Sequence, residues 1–279
     1  MGRYCHSVNS ATVKLVASDL DGTLLGADST VSVRTEAALK AVAAAGVEVV
    51  VATGRSHWTA VPLLDHIGCV RWVICSNGAT VYDFEVGDVV LRRPLPDDVV
   101  RRVVDRIQDA FPSVGLAWES GTGIAQTEQW VANRAATNPA YATGWPEPTS
   151  ELQIGASPIL KLLVAHHELI TYDWLNALQP YLPAGISAST SGASFVEITS
   201  SEANKGEALR QLCHQLRIDR ADTIAFGDHS NDVGMLGWVG TGYAMANADH
   251  QVLAMADEVA PHHTEDGVAQ ILEVLVAAR

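Results

Sequence analysis

Residues 15–25 read Leu-Val-Ala-Ser-Asp-Leu-Asp-Gly-Thr-Leu-Leu, a short apolar run followed by two aspartates and a glycine. The apolar run predicts a buried strand over Val13–Ser18. Asp19 and Asp21 are two residues apart, so their side chains point to the same side of an extended chain, where they repel each other unless a cation is present. Mg²⁺ suits such a place because it prefers hard oxygen ligands in octahedral geometry. The alternative is a solvated pair of aspartates that opens a turn at Gly22.

On both sides of this stretch, short runs rich in valine and isoleucine alternate with amphipathic segments. Near-continuous apolar strands separated by helices indicate a parallel sheet that is covered on both faces. The predicted fold class is therefore α/β, with a Rossmann-like, doubly wound parallel sheet as its core. The predicted strands of this sheet are Val13–Ser18, Val47–Ala52, Trp72–Cys75, Thr223–Phe226 and Gly242–Met245. The predicted helices are Val33–Ala45, Trp58–Ile67, Lys205–Leu216, Asp232–Leu236 and Gly267–Ala277.

The middle of the chain, residues 95–190, breaks this alternation and is interpreted as a domain inserted into the sheet domain. We predict a helix over Asp97–Ala110, whose apolar side chains recur with helical spacing. A strand over Leu160–Ala165 and a helix over Glu168–Leu178 follow. Residues 111–155 are rich in glycine, threonine, asparagine and proline and are interpreted as loop-rich. The predicted domains are a discontinuous core, residues 1–94 and 191–279, and an inserted α+β domain, residues 95–190.

Composition and charge limit the classes of function. Hydrophobic residues make up 48% of the 279 residues, which is enough for a sizeable core, and the net charge is −14. A nucleic-acid-binding protein needs a basic face to replace the counterions on phosphates, so no nucleic-acid partner is expected. The four cysteines form no Cys-x-x-Cys pair, which favours thiols in a reducing compartment. Because no apolar run reaches the roughly 18 residues of a membrane span, and residues 1–11 lack the apolar segment of a secretory signal, we expect a cytoplasmic protein without a membrane partner.

The segment Thr53-Gly54-Arg55 directly follows the predicted strand Val47–Ala52. A threonine hydroxyl and exposed backbone N–H groups can hold phosphate oxygens, and a glycine lets the backbone approach a ligand closely. In open parallel sheets, ligands bind beyond the carboxyl ends of the strands, which is also where Asp19 is expected. The segment therefore favours a phosphate site. The alternative is an ordinary strand-to-helix turn with a solvated Arg55.

Two later segments add charged side chains. Lys205 opens a predicted helix, where a positive charge is unfavourable for the helix dipole. We therefore expect it to neutralise a carboxylate and a phosphate; the alternative is a surface lysine. Asp228 follows the predicted strand Thr223–Phe226 and is a candidate metal ligand. Asn231 and Asp232 come next and are expected to cap the following helix, a role that can coexist with one in the site.

Together these four segments resemble the four motifs of the haloacid dehalogenase superfamily. Their spacing is similar to that of its Cof-type branch, which has a type IIB cap inserted between the second and third motifs. Ser76–Ala79, Asp232–Leu236 and Glu265–Ala269 resemble further marks of that branch. The resemblance covers roughly residues 13–94 and 191–277, and the inserted domain matches the cap in size and position alone. The four segments are DLDGTLL at 19–25, TGR at 53–55, NKG at 204–206 and GDHSND at 227–232.

The resemblance implies a Mg²⁺-dependent phosphatase that forms an aspartyl-phosphate on Asp19. It implies that Asp21 protonates the leaving oxygen and then deprotonates the hydrolytic water. It further implies a metal site made of Asp19, the backbone carbonyl of Asp21 and Asp228, with Asp232 orienting Lys205 or a metal-bound water. The residues implied to bind the transferring phosphoryl group are Thr53, Lys205, Asn231, Asp232 and the backbone amides of Leu20 and Gly54.

The chain departs from the family's pattern at a few positions, which bear on substrate contacts and remove no catalytic group. His229 and Ala246 stand where the family often has other small or polar residues. The adjacent His262 and His263 also depart from it. Because neighbouring side chains project apart, we interpret these two histidines as solvated or as part of the rim of the substrate site.

The expected substrate is a small phosphorylated metabolite, namely a sugar phosphate, a nucleotide or a phosphorylated cofactor. Two other functions stay open: transfer of the phosphoryl group to a sugar by a phosphomutase or phosphotransferase, and binding of phosphate by a regulatory protein without turnover. Three tryptophans of the inserted domain, Trp118, Trp130 and Trp145, either line a pocket for the substrate or belong to the core of that domain. The expected assembly is a monomer or a small homo-oligomer.

Overall fold

The computed structural model describes residues 12–121, 123–137, 148, 152, 154–169, 171–191 and 193–279. The chain divides into two compact units. The first unit comprises the chain up to Leu91 together with Asn204–Arg279, and the second comprises Arg92–Ala203. Each unit is built on a sheet of its own.

The regular elements are numbered in chain order. The strands are β1 (Leu15–Ser18), β2 (Glu48–Ala52), β3 (Trp72–Cys75), β4 (Thr80–Asp83), β5 (Asp88–Arg92), β6 (Gly115–Ser120), β7 (Gly123–Gln126), β8 (Ile159–Ala165), β9 (Ile186–Ser189), β10 (Val196–Ser200), β11 (Thr223–Gly227), β12 (Thr241–Met245) and β13 (Glu258–Ala260). The helices are α1 (Val33–Ala44), α2 (His57–Leu64), α3 (Asp97–Ala110), α4 (Glu128–Thr137), α5 (Thr171–Leu178), α6 (Lys205–Leu216), α7 (Val233–Trp238), α8 (His250–Met255) and α9 (Gly267–Ala277).

The first unit is built on a sheet with the strand order β13-β12-β11-β1-β2-β3-β4-β5. The strands from β13 through β3 pair in parallel, and β4 runs antiparallel to β3. β1 lies in the interior of the sheet, where Ser18 is opposite Val51 of β2 and Phe226 of β11. This sheet confirms the α/β class and the parallel core that the sequence predicts.

Helices cover both faces of this sheet because successive side chains of a strand point to opposite faces. Val16 of β1 belongs to an apolar cluster that includes Leu39 of α1 and Leu272 of α9. Its neighbour Leu15 belongs to a second cluster that includes Leu209 of α6. Both faces are therefore apolar and buried, as a parallel sheet requires, and polar groups are left to the ends of the strands.

The second unit is built on an antiparallel sheet with the order β7-β6-β8-β10-β9. One face packs against α3 and α5 in an apolar cluster that contains Trp118. The other face carries a smaller cluster in which Trp130 of α4 packs against Ala117 and Leu163. Both tryptophans are buried in these clusters, so they are core residues of the unit. Trp145 lies outside the described residues.

The boundaries of the two units differ from the predicted ones. We predicted that the core resumes at residue 191, yet β10 pairs with β8 and β9. The second unit therefore extends to Ala203, because its sheet supplies the hydrogen bonds of β10. At the first boundary the units part after Leu91 instead of after Pro94.

Residues 111–155, interpreted as loop-rich, also contain three regular elements that the sequence did not predict, namely β6, β7 and α4. β6 is buried along nearly its whole length. It therefore lacks the alternation of polar and apolar residues that marks a half-exposed strand in a sequence. Within the described residues, the structure contains no helix with both the length and the apolar character needed to cross a membrane.

Candidate active site

The polar segments that follow β1, β2 and β11 come together at one edge of the first sheet. These three strands are neighbours and run in parallel, so their carboxyl ends lie side by side. The backbone N–H of Asp19 continues the ladder by donating to Phe226 O at 3.0 Å, and that of Thr53 donates to Ile74 O at 2.8 Å. Asp228 follows the last residue of β11. This is the place where parallel sheets bind ligands.

Lys205 supplies a positive charge at the centre of this edge. It is the first residue of α6, whose preceding residue Asn204 caps the helix by accepting from Glu207 N. The Lys205 ammonium is fully buried and donates to Asp19 Oδ1 at 2.6 Å and to Asp232 Oδ1 at 2.7 Å. Burial alone would lower the pKa of Lys205, but the two adjacent carboxylates raise it above its ordinary value. The alternative of a surface lysine is wrong.

Three buried carboxylates surround this lysine. Oxygen atoms of Asp19, Asp228 and Asp232 lie within 4.8 Å of one another. Burial raises the pKa of Asp19 well above its ordinary value, and burial together with the Asp232 charge raises the pKa of Asp228 to about 7. Three carboxylates and one ammonium leave an excess of negative charge, which a hard divalent cation would neutralise. The donor set therefore fits Mg²⁺.

The Asp228 carboxylate is pressed against the segment that follows β1. Thr23 Oγ1 donates to its Oδ1 at 3.3 Å. A Cβ atom on Gly22 would lie 2.2 Å from its Oδ2, and Gly22 has a φ of +73°, a conformation that favours glycine. The glycine of the DLDG segment is therefore required both for the turn and for the close approach of Asp228.

Asp232 serves both the site and a helix end. Its Oδ1 accepts from Lys205, and its Oδ2 accepts from the backbone N–H groups of Asp228 and His229 at 3.0 and 3.1 Å. Its side chain makes no capping hydrogen bond to α7, but the bond from His229 N is part of a capping box on the short 3₁₀ turn Ser230–Asp232 that leads into α7. Asp232 therefore caps this turn, fixes the segment that carries Asp228 and contacts Lys205.

The Asp21 side chain is held by Arg55 and does not belong to the buried carboxylate cluster. Arg55 Nε donates to Asp21 Oδ2 at 2.7 Å, and its Nη2 donates to Oδ1 at 2.5 Å. The hydrogen bonds to Asp21 raise the pKa of the Arg55 guanidinium. The interpretation of Arg55 as a solvated side chain is wrong. The predicted metal contact of Asp21 concerns its backbone carbonyl and stays a prediction.

The remaining predicted residues lie around Asn77, a residue that the sequence did not mark as part of the site. Thr53 is fully buried, and its carbonyl accepts from Asn77 N at 3.1 Å. Asn231 Nδ2 donates to Asn77 Oδ1 at 3.0 Å. Asn77 has a φ of +56°, and the Asn77-Gly78 dipeptide is the signal that could have identified this turn.

Leu20 and Gly54 were predicted to bind phosphate through their backbone amides. Leu20 is fully buried, and its carbonyl accepts from Leu25 N at 2.9 Å within the tight turn that follows Asp19. Gly54 follows the buried Thr53 at the end of β2. Both residues lie beside the cluster in sequence, and their amide contacts to phosphate stay predictions.

Asn247 and His263 also contact the site; the sequence did not mark Asn247 as part of it and placed His263 only as solvated or in the rim. Asn247 Nδ2 donates to Gly22 O at 2.8 Å. His263 Nδ1 lies 2.8 Å from Leu25 O, so its ring is anchored to the turn after Asp19, and its place in the rim of the substrate site stays a prediction. The partners are more than 200 residues apart in the chain, and no local pattern signals such contacts.

The chain matches the family of haloacid dehalogenase-like hydrolases over residues 16–272. This match includes the four segments whose side chains converge at the carboxyl edge of the first sheet. The chain belongs to the haloacid dehalogenase-like hydrolases, as the resemblance of its motifs implied.

Individual relatives agree with this assignment. Phosphatase YwpJ of Bacillus subtilis is 31% identical, over 95% of this chain and 100% of that protein. An HMP-PP phosphatase of Yersinia pseudotuberculosis is also 31% identical, over 84% of each chain. Among solved structures, a haloacid dehalogenase-like hydrolase from B. subtilis superposes with a TM-score of 0.81 at 26% identity, covering 94% of this chain and 99% of that one. The protein is therefore an enzyme of the phosphatase class.

Proposed function

We propose that this protein hydrolyses phosphate monoesters of small metabolites, with Mg²⁺, through an aspartyl-phosphate on Asp19. The observation that carries the proposal is the buried Lys205, which bridges Asp19 and Asp232 while Asp228 adds a third carboxylate. Lys205 alone does not neutralise the three carboxylates of this cluster. An anionic substrate could enter such a site only with an added cation.

In this proposal the carboxylates of Asp19 and Asp228 and the backbone carbonyl of Asp21 would hold Mg²⁺. When bound, the ion neutralises the cluster and withdraws charge from the phosphoryl oxygens. Asp232 orients Lys205, as its 2.7 Å hydrogen bond supports. With the ion and Lys205 present, Asp19 is favoured in the ionised form that a nucleophile needs.

In the first half of the reaction the Asp19 carboxylate attacks phosphorus, and the bond from phosphorus to the leaving oxygen breaks. Lys205 stabilises the charge on the phosphoryl oxygens. Thr53, Asn231 and the backbone amides of Leu20 and Gly54 are proposed to hold the same oxygens. Two contacts support this role: the buried Thr53 Oγ1 accepts from Arg55 N at 3.1 Å, and Asn231 Nδ2 donates to Asn77 Oδ1, so both side chains are held on segments that follow strands of the first sheet.

Asp21 is proposed to give its proton to the leaving oxygen and then to accept one from the water that attacks phosphorus, which breaks the bond between phosphorus and the Asp19 oxygen and releases phosphate. In the structure Arg55 holds the Asp21 carboxylate by a two-pronged contact in which both carboxylate oxygens accept. Asp21 can donate a proton only after it leaves Arg55. The side chain is about half exposed, at 46%, so it has room for this change.

The proposed substrates are small phosphorylated metabolites. The HMP-PP phosphatase relative acts on the compound in its name, which places HMP-PP beside sugar phosphates, nucleotides and phosphorylated cofactors as compounds to test. We further propose that the second unit, Arg92–Ala203, is the cap that selects among them, with substrate choice lying in its residues. The cytoplasmic location and the monomeric or small homo-oligomeric state stay predictions.

The test is phosphate release from this panel with Mg²⁺, with EDTA and in the variant Asp19→Asn. We expect release that requires Mg²⁺ and falls more than about 1,000-fold in Asp19→Asn, because the nucleophile is lost. Asp65→Asn is the matched control, since Asp65 is an exposed aspartate of the same unit, and it should keep full activity. Release that persists in Asp19→Asn would refute the proposal. A bisphosphorylated sugar as product, instead of free phosphate, would establish phosphotransfer in its place.

A further inference from the structure

Asn247 lies between two segments of the candidate metal site. It follows β12, on the loop between β12 and α8. Its Nδ2 donates to Gly22 O at 2.8 Å and lies 3.4 Å from Asp228 Oδ2. One amide group therefore contacts both the turn after Asp19 and a candidate metal ligand.

The orientation of this amide is fixed by a donor on its other side. The backbone N–H of His263 donates to Asn247 Oδ1 at 3.1 Å. A backbone N–H can only donate, so the oxygen of the amide must face His263. The NH₂ group must then face Gly22 O and Asp228. Gly22 O is a carbonyl oxygen and can only accept, and the Asp228 carboxyl can only accept when it is ionised.

His263 is anchored to the same turn at its other end. Its Nδ1 donates to Leu25 O at 2.8 Å, and its ring stacks on that of His262 with centroids 4.8 Å apart. The contacts form a closed circuit from Leu25 through His263 and Asn247 back to Gly22. The turn that follows Asp19 is thus tied down at two points.

The chemistry of these donors suits a site that must keep its negative charge. Asp19, Asp228 and Asp232 repel one another when ionised. A second lysine would hold Asp228 in place but would also neutralise it. Asn247 and Thr23 contribute uncharged donors to Asp228, beside the His229 Nε2 that lies 3.4 Å from its Oδ2. The two uncharged donors hold the carboxylate without competing with a cation for its charge.

We propose that Asn247 is a positioning residue for the metal site, and that His263 supports it by fixing the orientation of the amide. The inference rests on the Mg²⁺ site of the proposed function. Asn247 touches neither the nucleophile nor the reacting atoms in this scheme; it acts through Asp228 and through the turn at Gly22. Loss of a residue that orients a metal ligand typically weakens metal binding by about 10- to 100-fold.

The test is Mg²⁺ binding to the full chain, measured by calorimetry without substrate, for the wild type and Asn247→Ala. We expect the dissociation constant to rise about 10- to 100-fold in Asn247→Ala. Phosphate release should show the same shift in its Mg²⁺ dependence, while kcat at saturating Mg²⁺ stays within about threefold because the nucleophile and Lys205 are unchanged. Asn176→Ala is the matched control, since Asn176 is exposed on α5 of the second unit.

A second pair of variants tests the support from His263. His263→Phe keeps an aromatic ring but loses the donor to Leu25 O, and we expect weaker Mg²⁺ binding by a smaller factor than in Asn247→Ala. His214→Phe is its control, because His214 is exposed in the last turn of α6, away from these contacts, and it should bind Mg²⁺ as the wild type does. Thermal melting in EDTA shows that each variant is folded.

The outcomes separate this inference from the proposed function. A wild type that binds no Mg²⁺ overturns both. A wild type that binds Mg²⁺ and a folded Asn247→Ala that binds it equally well overturn the inference alone. Weaker binding in Asn247→Ala and His263→Phe, with both controls unchanged, supports it.

Discussion

Each unit of the protein buries one lysine against two carboxylates. In the first unit Lys205 contacts Asp19 and Asp232 at 2.6 and 2.7 Å. In the second, Lys161 contacts Glu197 at 2.7 Å and Glu119 at 3.6 Å. In both units the neighbouring carboxylates raise the pKa of the lysine although burial alone would lower it. As isolated ion clusters the two are nearly alike.

The two clusters differ in the backbone that carries them. Glu119, Lys161 and Glu197 stand within the paired strands β6, β8 and β10, where regular register brings them together. The residues around Lys205 stand on turns just after strands and at the start of a helix. A third carboxylate, Asp228, is added there without a lysine of its own. A buried ion cluster becomes a candidate site when it lies at convergent strand ends and keeps unneutralised charge.

Exchanging each lysine for methionine should separate the two clusters most clearly. Lys205→Met should lower kcat/KM about 100- to 1,000-fold, because the cation that faces the phosphoryl group is lost. Lys161→Met should instead lower the free energy of unfolding by about 3–5 kcal/mol, because two buried glutamates lose their partner. Steady-state kinetics and chemical unfolding check the two effects. A folded Lys161→Met enzyme that loses as much activity as Lys205→Met would erase the distinction.

Asp228, the carboxylate of the first cluster that has no lysine partner, leads us to expect that Mg²⁺ binding depends on pH. The pKa of Asp228 is raised to about 7 in the metal-free protein, so protons compete with Mg²⁺ below that pH. We expect the affinity for Mg²⁺ to fall about tenfold for each pH unit below 7 and to level off above it. Calorimetry between pH 5.5 and pH 8.5, about 1.5 units on either side of this pKa, measures the affinity. An affinity that does not change across this range would contradict the role of Asp228.

The raised pKa of Asp228 also makes the stability of the folded protein depend on pH. A carboxyl group with a raised pKa in the folded state stabilises the fold while it is protonated. That contribution is present at low pH and is lost as pH rises through about 7. The metal-free protein should therefore melt at a lower temperature at pH 8 than at pH 6. Added Mg²⁺ should reverse this difference, because it binds the ionised form.

The smallest expected effect is that of replacing Gly22, which lies against the Asp228 carboxylate. Gly22→Ala and Gly46→Ala both place a side chain on a backbone with positive φ, +73° and +80°, so both should cost about 1–2 kcal/mol of stability. A Cβ at Gly22 also meets Asp228 Oδ2, whereas one at Gly46 meets nothing within 4 Å. Gly22→Ala should therefore weaken Mg²⁺ binding up to about tenfold, and Gly46→Ala should not. Equal Mg²⁺ affinities in the two variants would show that the approach of Asp228 to Gly22 is unimportant.

The sequence predicts the first unit better than the second for a physical reason. β1, β2 and β11 are apolar runs because both faces of a parallel sheet are covered, and turn residues mark their ends. β6 and β7 contain glycine, serine and polar residues within a sheet whose burial comes from long-range packing. α8 and β13 are short and were missed as well.

Some residues of the candidate site could be predicted from the sequence and others could not. Asp19, Thr53, Lys205 and Asp228 could be named because each stands in a recognisable segment beside a strand or helix end. Asn247 could not, because its role comes from contacts with residues far away in the chain. The segment that carries Asn77 could be recognised, but the contact of Asn77 with Asn231 could not, because the two residues are also far apart in the chain. The two-pronged contact of Arg55 with Asp21 was also missed, since a side-chain orientation across two loops leaves no local pattern.

The central claim is that Asp19 becomes phosphorylated during turnover. The most direct measurement is to quench the enzyme during turnover with Mg²⁺ and substrate, reduce any acyl phosphate with borohydride, and locate the product by peptide mass spectrometry. Reduction converts a phosphorylated aspartate to a primary alcohol. We predict that alcohol at Asp19, and its absence when EDTA replaces Mg²⁺. Phosphate release at the normal rate with no modification, or with the modification at another residue, would contradict the claim.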